Sequence, residues 1–271
     1  MSALQKRVIT AISIILLVGI GLFFLPLWVF AMVVILLIAE GLNEFYGLIE
    51  KKGIFIYKHF GILIGIFIPL SIYSRFEPTK GWELLFIVTA TLIFFVLQFI
   101  RKDSSQAIVG ISTTLFGIFY VSWFFSFLIK IRFLPYGTLL IAFLLLVTKM
   151  GDVGAYLVGK SMGKNTLIPR ISPKKTLEGS MGGLGFSLGA AIIGKLYLPF
   201  IPVLHLLAMG FLLGFLAQLG DLCESLIKRD CQVKDSGGHL PGLGGILDII
   251  DSIIFAAPIF YYYLIYFKLI Q

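Results

Sequence analysis

The chain has 271 residues, of which 59% are hydrophobic and 13% are charged, and its formal net charge is +8. Soluble domains contain about 25% charged residues, so this composition excludes a soluble globular protein and predicts an all-α integral membrane protein. Attraction to anionic lipid headgroups is enough to explain the positive charge, which therefore indicates no nucleic-acid partner and, by itself, no enzyme.

Apolar runs that are long enough to cross a bilayer as helices follow one another along the whole sequence. The first run follows a basic segment, SALQKR, and no small-residue cleavage site comes after it, so we expect it to be retained as a helix. Together the runs predict a polytopic bundle of about nine transmembrane helices. They lie close to residues 8–25, 27–49, 60–74, 82–100, 107–129, 136–160, 179–198, 201–221 and 246–268.

Lysine and arginine residues are unevenly distributed over the predicted connections. A cytoplasmic N terminus places most of them on the cytoplasmic side, so the positive-inside rule predicts that orientation. The two longest polar connections, residues 161–178 and 222–245, are then cytoplasmic loops. We expect residues 1–135 to supply about five N-terminal spans. Residues 136–271 should supply the remaining spans, and any chemistry on a water-soluble substrate should take place on the cytoplasmic side.

The first of three polar segments is LVTKMGDVGAYLVGKSMGKN. Asp152 lies three residues after Lys149 and four before Tyr156, so the three side chains share one helix face. An ion pair that neutralises itself within the helix is one interpretation. Ionisable groups inside a membrane more often line a functional cavity, however, and we favour that interpretation here.

The second polar segment is LIPRISPKKTLEGS. Ser172 or Thr176 could cap a following helix that has Glu178 in its first turn. Lys174 and Lys175 would then point toward free backbone N–H groups, and such a combination binds phosphates. An ordinary positive-inside loop explains the two lysines equally well.

The third polar segment, GDLCESLIKRDCQVKDSGGHLPGLGGILDIIDS, contains polar residues at helical spacing. One stripe of a helix through residues 216–229 carries Asp221, Glu224, Ser225 and Lys228. Asp248 and Asp251 follow one turn apart at the start of the next span. Carboxylates from two helix ends repel each other unless a cation lies between them, and hard oxygen ligands favour Mg²⁺. A solvated charged loop is the alternative, but it does not explain aspartates flanked by apolar residues.

Two runs in this last segment resemble a known signature. SLIKRDCQVKD at residues 225–235 and LPGLGGILDIID at residues 240–251 are similar to the signature of phosphatidate cytidylyltransferases, also called CDP-diacylglycerol synthases. DVGAYLVGKSMGK at residues 152–164 and SPKKTLEG at residues 172–179 resemble upstream blocks of the same family. The resemblance covers residues 145–260 directly. The chain departs from the usual pattern at Leu243, where the family has histidine, and at Ile249, where it has arginine.

The resemblance implies transfer of CMP from CTP to phosphatidate in phospholipid biosynthesis, with pyrophosphate released. It implies Mg²⁺ held by Asp221, Asp248 and Asp251, with Glu224 or Asp152 as nearby ligands, and leaves open a second cation. Residues 136–271 would then form the catalytic transmembrane region, with an active site that faces the cytoplasm from the inner membrane. The predicted catalytic residues are Asp221, Asp248, Lys228 and Asp235. The predicted substrate-binding residues are Asp152, Tyr156, Lys164, Ser172, Lys174, Lys175, Thr176, Glu224, Ser225, Arg229, Lys234, Gly244 and Gly245. Membrane lipids are further partners, and the chain could form a homodimer.

Three other functions stay open from the sequence. A different membrane transferase or kinase could use a nucleotide on a lipid alcohol, although the paired aspartate motif of CDP-alcohol phosphotransferases does not occur in its usual order. An anion transporter is disfavoured because the chain shows no internal repeat. A catalytically inactive relative would fit Leu243 and Ile249, but the intact aspartates and lysines argue against it.

Overall fold

The computed structural model describes residues 19–76, 82–237 and 244–270. Its helices are α1 (Leu27–Lys51), α2 (Lys58–Tyr73), α3 (Trp82–Ile100), α4 (Ala107–Gly117), α5 (Phe124–Phe133), α6 (Gly137–Met162), α7 (Leu177–Ile193), α8 (Val203–Asp230), α9 (Leu247–Ile254) and α10 (Ala256–Tyr266). A short antiparallel hairpin of β1 (Thr166–Ile168) and β2 (Ser172–Thr176) is the sheet found in the described part of the chain.

Five helical stretches are long and apolar enough to cross a membrane. They are Leu27–Lys51, Ala107–Phe133, Gly137–Met162, Val203–Asp230 and Leu247–Tyr266. Lys58–Tyr73 and Leu85–Ile100 are shorter apolar helices. The prediction of an all-α membrane protein is therefore confirmed, and these stretches follow the predicted spans closely. Most of the predicted first span, 8–25, lies outside the described residues, which begin with a helical stretch at 19–24.

Prolines and bulges set several helix limits. Pro26 precedes α1 with an extended backbone, φ −65° and ψ 159°, and so separates α1 from the helical stretch before it. Pro202 stands in the same position before α8. Proline is tolerated there because the first residues of a helix have no intrahelical acceptor for their N–H groups. A π-helical segment, Ile118–Trp123, joins α4 to α5, so the predicted span at 107–129 continues to Phe133.

Both of the predicted cytoplasmic connections contain regular structure. The loop at 161–178 contains the β1–β2 hairpin. Residues 222–230, the first part of the loop predicted at 222–245, continue α8 without interruption. This extension confirms the helix predicted through residues 216–229. The polar stripe explains it, because side chains at helical spacing gain contacts with a neighbouring element only while the helix persists.

The C-terminal helices pack closely around α9. Helix α9 contacts α8, and it also contacts α1, α5 and α6. Gly220 of α8 faces the α9 backbone, where an added Cβ atom would collide with the carbonyl oxygen of Asp251. Helix α7 packs along α6, and the Ser187 hydroxyl donates a hydrogen bond to the Val147 carbonyl oxygen at 3.0 Å. This packing brings the polar stripe of α8 opposite the two aspartates of α9.

Candidate active site

A cavity of about 550 Å³ lies between α6, the hairpin, α7, α8 and α9. Its lining includes many of the residues that the sequence predicted for the site. These are Asp152, Tyr156, Ser172, Lys174, Lys175, Thr176, Asp221, Glu224, Lys228, Asp248 and Asp251. The structure therefore brings together residues from all three polar segments, although these residues lie up to about 100 positions apart in the sequence.

Three carboxylates form an acidic cluster inside this cavity. Oxygen atoms of Asp221, Glu224 and Asp251 all lie within 4.8 Å of one another. Glu224 is 1% exposed and Asp251 is 6% exposed. The Glu224 Oε1 atom is buried without a hydrogen-bond partner among the described residues. Because like charges this close repel and a buried unpaired oxygen is costly, the cluster fits a divalent cation with oxygen ligands.

Asp248 has a different environment from the one that the sequence predicted. One of its oxygens pairs with the Lys228 ammonium group. The other accepts hydrogen bonds from the Ser236 hydroxyl at 2.8 Å and from the Gly245 N–H at 2.8 Å. Lys228 also lies 2.5 Å from Glu224 Oε2. Both oxygens of Asp248 are thus already paired, whereas Glu224, which we predicted to bind substrate and as a possible nearby metal ligand, lies in the acidic cluster with Asp221 and Asp251 and keeps one oxygen unpaired within the described chain.

A second lysine of the cavity lining, Lys149 of α6, contacts α9. Its ammonium group lies 3.2 Å from Asp152 Oδ2, as the i,i+3 spacing predicted. It also donates hydrogen bonds to the Ser252 hydroxyl at 2.7 Å and to the Ile249 carbonyl oxygen at 3.2 Å. Ile249 stands where the family pattern has arginine, and its backbone carbonyl is therefore contacted by a lysine from another helix. Leu243, the other departure from the family pattern, lies outside the described residues.

The hairpin carries two lysines to the cavity and is fixed at its base. Thr176, rather than Ser172, caps α7, and its hydroxyl oxygen accepts a hydrogen bond from the Gly179 N–H at 3.1 Å. Lys175 Nζ lies 2.6 Å from Asp221 Oδ2. Since Asp221 belongs to the acidic cluster, this ion pair connects the hairpin directly to α8.

Glu178, in the first turn of α7, holds the start of the hairpin. Its carboxylate accepts hydrogen bonds from the Lys164 N–H at 3.1 Å and from the Asn165 side-chain amide at 2.8 Å. The hydrogen bonds from its own backbone N–H and from the N–H groups of Lys164 and Asn165 lower the pKa of this carboxyl to about 2. Glu178 is therefore ionised at neutral pH and acts as a fixed anchor for the loop.

Several predicted residues do not line the cavity. They are Lys164, Ser225, Arg229, Lys234, Asp235, Gly244 and Gly245. Arg229 donates from Nε to the Ile171 carbonyl oxygen at 3.1 Å, which attaches α8 to the hairpin turn. The backbone N–H of Lys164 donates a hydrogen bond to Glu178, and the backbone N–H of Gly245 donates one to Asp248.

Other lining residues were not among the predicted site residues. Gln218 of α8 and Ser180 of α7 hydrogen-bond to each other beside the cavity. Gln218 stands three residues before Asp221, so extending the polar stripe by one turn would have found it. Lys149 was recognised only as the partner of Asp152. Ser180 carries no sequence signal, because a serine in a glycine-rich helix is equally common at packing positions.

Comparison with known proteins gives a consistent result. The chain matches the model of the cytidylyltransferase family over residues 5–267. It is 34% identical to a phosphatidate cytidylyltransferase of Synechocystis in an alignment of 293 positions that covers 96% of each chain. It is 41% identical to a phosphatidate cytidylyltransferase of Bacillus subtilis over 213 residues, 76% of this chain and 77% of that one. It is 44% identical to the uncharacterized protein YnbB of Escherichia coli over 206 residues, 76% of this chain and 67% of that one. The chain belongs to the cytidylyltransferase family.

Proposed function

We propose that this protein transfers CMP from CTP to phosphatidate, giving CDP-diacylglycerol and pyrophosphate. The observation that carries the proposal is the acidic cluster of Asp221, Glu224 and Asp251 beside lysines in one cavity, in a chain of the cytidylyltransferase family. The names of the relatives from Synechocystis and Bacillus subtilis support phosphatidate as the acceptor.

The charges around the cavity nearly cancel. The lining contains five basic side chains, from Lys149, Lys160, Lys174, Lys175 and Lys228. It also contains five carboxyl groups, from Asp152, Asp221, Glu224, Asp248 and Asp251. The lining is therefore formally neutral when all ten groups are ionised, whereas both substrates are anions. Additional positive charge is needed to bring two anions together, and a divalent cation would supply it.

We propose Mg²⁺ as that cation, with Asp221, Glu224 and Asp251 as its protein ligands. The unpaired, buried Glu224 Oε1 atom supports Glu224 in the position that we first predicted for Asp248. When bound, the ion supplies Lewis-acid stabilisation of charge on phosphate oxygens. Asp248 instead fixes Lys228, because one of its oxygens pairs with that ammonium group and the other accepts a hydrogen bond from the backbone of the loop before α9. A second cation stays a prediction.

The remaining chemistry needs positioned cations more than a base. A phosphomonoester such as phosphatidate is already largely ionised at neutral pH, so it can attack the α-phosphorus of CTP without a strong general base. Negative charge then grows on the departing pyrophosphate, and positioned cations stabilise it. Lys175 and Lys228 are held in place by carboxylates, and Lys174 lies beside them in the lining. We assign these three lysines to the phosphates.

The other predicted roles are proposals of the same kind. Tyr156, Ser172 and Thr176 line the cavity and are available to bind substrate. Asp152 holds Lys149 toward α9. The substrate-binding or catalytic roles of Asp235 and of the other predicted residues outside the lining stay predictions.

We also propose a detailed membrane topology for the chain. It has nine spans, a cytoplasmic N terminus, a site open to the cytoplasm from the inner membrane, and a division into residues 1–135 and 136–271. The lysine and arginine distribution supports this orientation. A homodimer is a further proposal, which cross-linking in native membranes would test.

The reaction can be tested with CTP labelled in different phosphates. Purified protein in detergent is given phosphatidate micelles, Mg²⁺ and CTP labelled at either the α- or the γ-phosphorus. Nucleotidyl transfer predicts label in the lipid from α-labelled CTP and labelled pyrophosphate from the γ-labelled form. Lipid labelled from γ-labelled CTP would instead establish a kinase. If neither label reaches lipid but solute enters liposomes without nucleotide, transport replaces the proposal.

A further inference from the structure

One buried carboxylate lies outside the cavity and comes from the N-terminal half. Glu44 of α1 is 5% exposed, and no lysine or arginine of the described chain forms an ion pair with it. Its Oε1 atom accepts a hydrogen bond from the Ile246 N–H at 2.9 Å. Its Oε2 atom accepts hydrogen bonds from the Leu247 N–H at 2.9 Å and from the Ser236 hydroxyl at 3.1 Å. Roughly 200 residues of sequence separate these partners.

These contacts fix the beginning of α9. Ile246 and Leu247 are the N-cap and the first residue of this helix, where the N–H groups have no intrahelical acceptor. A carboxylate satisfies such groups and interacts favourably with the positive end of the helix dipole. One turn before Glu44, the Gly41 position faces the Ile250 side chain, so α1 and α9 also approach each other at this point. Glu44 therefore determines where α9 starts relative to α1.

The loop before α9 is shaped around the same carboxylate. An added Cβ atom at Gly245 would collide with Glu44 Oε2 and with the Ser236 hydroxyl. An added Cβ atom at Gly237 would collide with Glu44 Oε1. Both described ends of the loop thus lie close to the Glu44 carboxylate. Such close contact is expected of a specific anchor and not of a carboxylate that merely faces a polar surface.

Two short connections lead from Glu44 to the site. The Ser236 hydroxyl lies 3.1 Å from Glu44 Oε2 and 2.8 Å from Asp248 Oδ2, so its single proton is shared between the two carboxylates. The Gly245 N–H, next to the Ile246 N–H that Glu44 holds, donates to Asp248. Asp248 in turn pairs with Lys228. The position of Glu44 is therefore transmitted to the residues that line the cavity.

We propose that Glu44 is a positioning residue of the active site. Its carboxylate holds the start of α9 so that Asp248 meets Lys228, and Asp251 meets Asp221 and Glu224. This gives the N-terminal spans a defined task in the reaction, and it rests on the proposed function for its catalytic consequence. The structural part of the proposal, the fixing of α9, stands independently of which reaction the protein catalyses.

The test compares Glu44→Gln with two control variants. In Glu44→Gln one oxygen becomes an NH₂ group, which cannot accept a hydrogen bond from an N–H of α9. Glu50→Gln lies on the same helix, where Glu50 is half-exposed and pairs with Lys58 at 3.3 Å, away from α9. Thr114→Val removes a buried hydroxyl that accepts from the Tyr57 N–H at 3.2 Å and so destabilises the N-terminal half without touching α9.

Two measurements are made on each purified variant. Hydrogen–deuterium exchange, without nucleotide, should rise in Glu44→Gln at residues 244–251 and stay unchanged in the other spans. In label transfer, kcat should fall about tenfold or more while KM for CTP changes less than about threefold, because loss of a hydrogen bond to a charged group disturbs alignment before it disturbs binding. Glu50→Gln should resemble the wild type in both measurements.

Each other result overturns part of the proposal. Unchanged exchange at 244–251 together with wild-type kcat would show that Glu44 does not position α9. Faster exchange throughout the protein, as in Thr114→Val, would show a general structural role. If the wild type transfers no label, the proposed function fails, and the exchange result alone still decides whether Glu44 fixes α9. If Glu44→Gln does not fold, Ser236→Ala replaces it, with a smaller fall in kcat and the same local rise in exchange expected.

Discussion

Replacing Lys228 by methionine should lower the thermal stability of the protein, because it removes the buried ammonium group that neutralises two carboxylates. Its side chain is 11% exposed, between Glu224 at 1% and Asp248 at 13%, so solvent screens these two ion pairs little. Methionine keeps a similar length but leaves both carboxylates without their cation. Removing one partner of a buried ion pair costs about 3–5 kcal/mol. For a chain of this size that corresponds to a fall in the midpoint of thermal unfolding of roughly 10 °C.

The assay follows thermal unfolding of Lys228→Met in detergent, with and without Mg²⁺. Lys52→Met is the matched control, because Lys52 pairs with Asp230 at 2.5 Å but both side chains are exposed to solvent. An exposed pair contributes about 0–1 kcal/mol, so the control should lose only a few degrees. Mg²⁺ should stabilise Lys228→Met more than the wild type, since the variant leaves more uncompensated negative charge. Equal losses in the two variants, or no extra effect of Mg²⁺, would refute the reasoning.

Two further predictions concern the hairpin. The pKa of Glu178 is lowered to about 2 in the folded protein. Its contribution to stability is therefore present above the unfolded-state pKa of about 4.3 and is lost as the pH falls toward 2. Glu178→Gln should unfold at a lower temperature than the wild type at pH 7, and the difference should shrink as the pH falls below about 4; a pH-independent difference would contradict this account. Lys175→Met should raise KM for CTP about tenfold, because it removes an ammonium group near the phosphates, whereas the exposed Lys51→Met should leave KM unchanged. Equal KM values would remove Lys175 from the binding site.

Local patterns in the sequence predicted local geometry well. The spacing of Asp221, Glu224 and Lys228 placed them on one helix face, and the structure shows all three in the cavity lining. Thr176 caps the next helix, as one of the two candidates named from its sequence. These features depend on residues within two helical turns, for which the backbone periodicity alone decides which side chains are neighbours.

Relations between distant elements could not be predicted in the same way. Which carboxylate joins Asp221 and Asp251 depends on the rotation of α9 against α8, and the sequence does not encode that angle in any short pattern. The close approach of the two helices at Gly220 puts Asp248 against Lys228 and leaves Glu224 facing Asp251. Glu44 could have been noticed as a lone carboxylate in an apolar span, a feature that usually marks function, but its partners lie in another part of the chain.

The most direct test of the metal site is the Mg²⁺ dependence of label transfer in Glu224→Gln and Asp248→Asn. The account predicts that Glu224→Gln needs at least about tenfold more Mg²⁺ for half-maximal activity, because it loses a charged ligand. Asp248→Asn should lose activity through Lys228 with its Mg²⁺ requirement nearly unchanged. The opposite pattern, with an unchanged Mg²⁺ requirement in Glu224→Gln and a raised one in Asp248→Asn, would contradict the assignment of Asp221, Glu224 and Asp251 as the metal ligands.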